Sequence, residues 1–153
     1  MLVREMMSGG VRTCTTADTL NTVARLMWEN DCGCVPVIDA DARPIAMITD
    51  RDVCMAAYTQ GKPLDQISVG SAASRGVVTV SVDDTLEEAE AMMQKYRIRR
   101  VPVVGADGRV AGVLSMNDLA RHVQRTRNRS DSLSAESIVR TLAAVGQPTS
   151  MHV

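Results

Sequence analysis

Residues 35–52 read VPVIDADARPIAMITDRD, and residues 101–118 read VPVVGADGRVAGVLSMND, in register and without a gap. A tandem repeat constrains a fold more than any single residue, because two like units must bury like faces. Each copy has an apolar run opened by Val-Pro-Val and a polar turn around Asp41 and Arg43, or Asp107 and Arg109. A second apolar run then ends in a hydroxyl three positions before an aspartate: Thr49 with Asp52, Ser115 with Asp118. The register reaches back to Ser8, Gly10 and Val11, which match Ser74, Gly76 and Val77.

Residues 2–7 suit a short helical lead-in. The Val- and Thr-rich runs 11–16 and 77–82 suit strands. Asp18-Thr19-Leu20 and Asp84-Thr85-Leu86 open helices, with aspartate as the expected N-cap and Glu87 as capping-box partner in the second copy. Leu20, Val23, Ala24 and Met27 form one apolar face, echoed by Leu86, Ala89 and Met93. Trp28 lies at the edge of that face where the second copy has Gln94. The Val-Pro-Val segments read as buried strands with the proline at a start or edge. Hairpin loops at 39–43 and 105–109 lead into second strands, and helices begin after Thr49 and Ser115 and run to about Tyr58 and Val123. A short helix is expected within 63–69. After the basic run 121–129, Ala135, Ile138, Val139, Leu142 and Val145 line a C-terminal helix that covers its own module or a partner.

Each copy is therefore strand–helix–strand–strand–helix. One copy of about 60 residues leaves a sheet face bare, and two stacked about a pseudo-twofold axis would cover it. The 153 residues hold no Phe, one Trp and ten Met, so the core is aliphatic and Met-rich. A net charge of -1 gives no global field toward nucleic acid or anionic membrane. No apolar run approaches the ~20 residues of a membrane helix, and Arg4 and Glu5 interrupt any signal-peptide core. The expected location is cytoplasmic. Cys14, Cys32, Cys34 and Cys54 all fall in the first copy, opposite Val80, Ile98, Arg100 and Ala120, so three occupy apolar positions of the repeat and suit reduced, mostly buried thiols. Cys32-Gly-Cys34 with no nearby His is a weak ligand pattern. His122 and His152 stand in polar surroundings, and no P-loop, G-x-G-x-x-G, H-E-x-x-H or nucleophile elbow is present.

These marks together, the Asp-Thr-Leu helix start, the Val-Pro-Val strand and the hydroxyl-x-x-Asp ending repeated at constant spacing, resemble a CBS-domain pair, or Bateman module, over about residues 2–123. The size is similar to that of small stand-alone bacterial CBS proteins. The resemblance implies an α+β fold of two tandem CBS motifs about a pseudo-twofold axis with an added C-terminal helix. The divisions would be 2–62 (first motif with its lead-in), 63–124 (second motif with its linker) and 125–153 (basic linker, helix and tail). It further implies a regulatory module without catalysis, cofactor or metal. Such a module would bind AMP, ADP, ATP or S-adenosylmethionine in clefts between the repeats and form a homodimer. It would act on a target protein, not on nucleic acid or membrane.

Thr49 to Asp52 and Ser115 to Asp118 are first of all good helix starts. The same geometry makes a phosphate site, and an acid one turn in can grip a ribose diol. The resemblance implies that Asp52 and Asp118 hold ribose while Thr49 and Ser115 touch phosphate. Before Val-Pro-Val the second copy reads Lys95-Tyr96-Arg97-Ile98-Arg99-Arg100 against Glu29-Asn30-Asp31-Cys32-Gly33-Cys34 in the first. Arg99 and Arg100 either complement a helix C-terminus or fork onto a phosphate. The first copy lacks them, so the clefts should differ, with Arg51 beside Thr49 compensating in part. Adenine would lie against backbone near Thr13, Thr79, Val35 and Val101. Two rival readings are a ligand-free protein-interaction scaffold and a thiol or metal sensor using Cys32 and Cys34.

Overall fold

The computed structural model describes residues 1–126 and 133–148. Residues 127–129 of the basic run, and His152, lie outside the described residues. In chain order the elements are α1 (Leu20–Glu29), β1 (Cys34–Ile38), β2 (Pro44–Thr49), α2 (Asp50–Gln60), α3 (Val69–Ala72), β3 (Val80–Ser81), α4 (Leu86–Tyr96), β4 (Arg100–Val104), β5 (Val110–Ser115), α5 (Met116–Arg125) and α6 (Ala135–Val145). Single 3-10 turns at Val3–Glu5 and Leu64–Gln66 stand where the lead-in and the linker helix are expected.

The repeats exchange their leading segments. Val3 N–H donates to the Asp84 carbonyl at 2.8 Å, and Ser8 bridges Val113 on β5. At the matching positions, 66 residues on as Val101 is to Val35, Val69 N–H donates to the Asp18 carbonyl at 2.8 Å and Ser74 pairs with Met47 on β2. The lead-in thus completes the second repeat and the linker completes the first. Val3 and Val69 are fully buried, each in the core it joins. Burial of such a side chain contributes about 1.5–3 kcal/mol.

Sheet formation departs from expectation in one instructive respect. The run 11–16 forms only a parallel bridge from Cys14 to Val37, and 77–82 contributes only the two residues of β3 beside β4. Pro36 and Pro102 explain both. They sit mid-strand, paired with Met47 and Val113 across antiparallel hairpins: Pro36 in an edge strand of the two-stranded sheet, as expected, and Pro102 in the central strand of the three-stranded sheet, at a position that β3 does not reach. Met47 and Val113 turn their own backbone groups outward to Ser74 and Ser8, so the hairpins tolerate proline. On the other side the Pro36 carbonyl accepts from Cys14 N–H at 3.0 Å, but the proline has no N–H to give to residue 12, and the ladder stops. Residues 10–13 and 76–79 are left free to turn away from the sheet.

Helix starts also shift by one residue. Thr19 and Thr85, not Asp18 and Asp84, are the N-caps, and the capping-box acid of α4 is Glu88, not Glu87. The aspartates serve the turn before the helix, accepting from Thr15 N–H and Ser81 N–H at 2.7 Å each. The C-terminal helix packs in cis. Its Ile138 joins the second core, and the buried Glu90 carboxylate on α4 accepts from Thr141 Oγ1 at 2.7 Å and Ser137 Oγ at 3.1 Å. Val139 and Leu142 remain exposed on its outer side, and Trp28 is 89% exposed.

Gly112 is where the exchanged lead-in presses hardest: a Cβ there would stand 2.6 Å from the Ser8 carbonyl and 2.9 Å from Met7 Sδ. The first repeat has the reciprocal choice, Ala46 with Ala73 where the second has Gly112 with Met7. Gly112→Ala is expected to lower stability by about 1–3 kcal/mol in urea titration, and adding Met7→Ala to recover part of that loss.

Candidate functional site

The segments released by Pro36 and Pro102 wall two clefts between the repeats. One, of about 870 Å³, joins Thr49, Arg51 and Asp52 of the first repeat to residues 97–100 and 76–78 of the second. Residues 145–148, at the end of α6, form a further wall. The other, of about 400 Å³, joins Ser115, Asn117 and Asp118 to residues 8–12 and 30–34.

Both hydroxyl–acid pairs are complete capping boxes. Asp52 N–H donates to Thr49 Oγ1 at 3.1 Å, and Asp52 Oδ2 accepts from Thr49 N–H at 2.9 Å. Asp118 N–H donates to Ser115 Oγ at 3.3 Å, while Asp118 Oδ2 accepts from Ser115 N–H at 2.8 Å and from Ser115 Oγ at 2.6 Å. The boxes fix the carboxylates at the cleft floors whether or not a ligand binds. They differ in the remaining oxygen. Asp118 Oδ1 accepts from Arg121 Nη2, and Asp118 is only 5% exposed. Among the described residues Asp52 Oδ1 has no such partner, and Asp52 lines the larger cleft.

Arg99 and Arg100 lie across from Thr49 and Asp52, so the basic residues and the capping acid of that cleft come from different repeats. Arg100 also borders the smaller cleft. Val35 and Val101 are fully buried and turn their side chains into the cores, leaving their neighbours Cys34 and Arg100 at the cleft edge. Thr13 and Thr79 are half-buried and follow the lining residues by one position without lining either cleft themselves. His122 is buried on α5. Sequence reasoning passed over Arg97, Arg12, Arg121 and residues 145–148. Arg97 was signalled by its opposition to Asp31, whereas no pattern in residues 145–148 says where α6 ends in space.

Burial is the leading influence on the thiol chemistry. It pushes Cys14 up to about 12, with Asp18 adding to the rise, and Cys34 up to about 11 against an opposing pull from Arg100. Cys32 is half-buried and Cys54 exposed. Among the described residues no three His, Cys, Asp or Glu side chains converge as a metal would require, and no helix is long and apolar enough to cross a membrane.

Two stretches, 3–58 and 69–125, match the family model of the CBS domain. The chain belongs to the CBS-domain family. This CBS pair is 30% identical over 120 residues to hypoxic response protein 1 of Mycobacterium tuberculosis (strain ATCC 25618 / H37Rv), covering 78% of this chain and 83% of that protein. It is 28% identical over 132 residues to the CBS domain-containing protein YhcV of Bacillus subtilis (strain 168), covering 86% and 92%. Among solved structures, hypoxic response protein I with two coordinated zinc ions superposes with a TM-score of 0.72 at 29% identity, over 80% of this chain and 98% of that one. The CBS pair of protein MJ0100, in complex with 5'-methylthioadenosine and S-adenosylmethionine, shares the fold with a TM-score of 0.74 at 23% identity, over 82% and 98%.

Because the buried thiols hold their protons longer in the folded chain than in the unfolded one, their contribution to stability is complete below the ordinary value of 9.0 and declines as pH climbs through about 11 for Cys34 and about 12 for Cys14. Urea midpoints are expected to fall between about pH 8 and about pH 10.5, and less steeply for Cys34→Ala. Iodoacetamide should label Cys54 first, leaving Cys14 and Cys34 to react only on unfolding, as read by mass spectrometry.

Proposed function

We propose that this CBS pair is a regulatory module that binds an adenine nucleotide (AMP, ADP or ATP) or S-adenosylmethionine in its inter-repeat clefts and relays occupancy to a target protein. The observation that carries this reading is the Asp52 carboxylate. It is fixed by a capping box in the lining of a large cleft, with one oxygen that no described residue hydrogen-bonds and with Thr49 and arginines in the same lining. A ribose diol donates two hydrogen bonds to such a carboxylate, and a phosphate suits the α2 N-terminus beside it. At Asp118 the same contact requires Arg121 to give up its hydrogen bond, which frees a guanidinium for the ligand's phosphate. The MJ0100 pair supports the reading at the level of fold, since its complex holds adenosine derivatives in this architecture.

The module does no chemistry and requires no cofactor. It acts in the cytoplasm as a homodimer, shifting between arrangements of the repeats that bind the ligand unequally. A ligand-free scaffold is the second reading, favoured by the exposure of Trp28 and Tyr58, 89% and 82%. It predicts partner retention that no nucleotide alters.

Isothermal titration with AMP, ATP and S-adenosylmethionine is the test. Asp52→Asn, which keeps the size and a capping oxygen, should weaken nucleotide binding by about 10-fold, the effect of losing a charge-assisted hydrogen bond. Silence from all three ligands at millimolar concentration would overturn the reading.

A further inference from the structure

The pseudo-twofold axis allows the two clefts to be compared position by position, and they are not alike. Arg51, Arg97, Arg99 and Arg100 line the larger cleft. Their counterparts are Asn117, Asp31, Gly33 and Cys34, and all four of these line the smaller one. Where one cleft carries four guanidinium groups, its twin carries none at the equivalent places. Apart from Arg100, which borders both clefts, the cations of the smaller cleft are Arg121, engaged with Asp118, and Arg12, whose Nε donates to Asn30 Oδ1 at 3.3 Å. Among the described residues none of the four arginines has an ion pair. Asp50 and Asp52 are the acids of that cleft, so positive charge exceeds negative by two. Like charges gathered without partners destabilise the free protein, and a polyanion relieves the repulsion.

We propose that the larger cleft takes a nucleoside di- or triphosphate, with the ribose on Asp52, the phosphate chain across Arg51, Arg97, Arg99 and Arg100, and residues 145–148 of the C-terminal segment closing the site. This rests on the adenine-nucleotide reading above and narrows it. A monophosphate cannot span four guanidinium groups, and the sulfonium of S-adenosylmethionine is repelled by them. The closing wall has a built support. Thr141 and Ser137 hold α6 to Glu90, and the first copy has Ala24 where Glu90 stands, so the anchor belongs to one repeat only. Occupancy of this cleft is thereby felt at α6, while the smaller cleft has no wall from that helix.

The test is a titration series on the full chain at low salt with AMP, ATP, S-adenosylmethionine and inorganic tripolyphosphate, with hydrogen exchange followed over α6. ATP should bind at least about 10-fold tighter than AMP, and tripolyphosphate should compete with it. Arg99→Ala with Arg100→Ala should weaken ATP about 10- to 100-fold and AMP far less, whereas Arg109→Ala, an exposed arginine on the distant hairpin loop, should change neither by more than about twofold. Exchange in residues 135–148 should slow on ATP. Equal affinities for AMP and ATP, untouched by the double substitution, would overturn this inference and leave the nucleotide reading standing. Tripolyphosphate binding without nucleotide binding would do the reverse. Binding of none of the four would sink both. ATP binding with exchange over α6 unchanged would remove the C-terminal segment from the site.

Discussion

The crossed exchange of leading segments is what the rest of the molecule depends on. Residues 1–8 lie on the second repeat and residues 67–74 on the first, through hydrogen bonds that repeat almost atom for atom. Each core lacks a fully buried valine until the other half of the chain supplies it. The seam between the repeats is therefore held by backbone hydrogen bonds at both edges, and the clefts open along it. Four arginines line the larger of these clefts, and a seam held at both edges keeps them on one cleft surface.

The two prolines act on the same seam from inside. By denying one amide they end the parallel strand early, and the chain that would have continued the sheet becomes a cleft wall. The same residue thus limits the sheet and opens the site. This accounts for clefts bordered by glycine and backbone at 8–10 and 76 rather than by regular strand.

Much of this was legible in the residues. The repeat gave the topology, the hairpins and the four long helices of the motifs, because alternation and helical periodicity report directly on which face is buried. It also gave the hydroxyl–acid boxes, whose spacing matches a helix start. Three things were hidden. The N-caps fell one residue later, since Asp18 and Asp84 found stronger use in the preceding turn. The strands around Cys14 and Val80 were over-read, because β-propensity says nothing of whether a neighbour has a donor. The arginines of the second copy faced the acid of the first, because a sequence repeat shows what is equivalent and not which equivalent parts meet across an axis. The end of α6 reached a cleft for a reason written only in Glu90, a single polar residue on an otherwise apolar helix face.

The exchange of ends also bears on the descent of such a chain. A polypeptide holding one copy would leave its own first strand-like segment with nothing to complete, and its core without the valine that fills it. Two such molecules, each lending its beginning to the other, would close both deficits and enclose the same pair of clefts. Joining such a reciprocal pair in one chain would leave the two halves free to differ, and here one carries the cleft arginines at 97, 99 and 100 and the other all four cysteines.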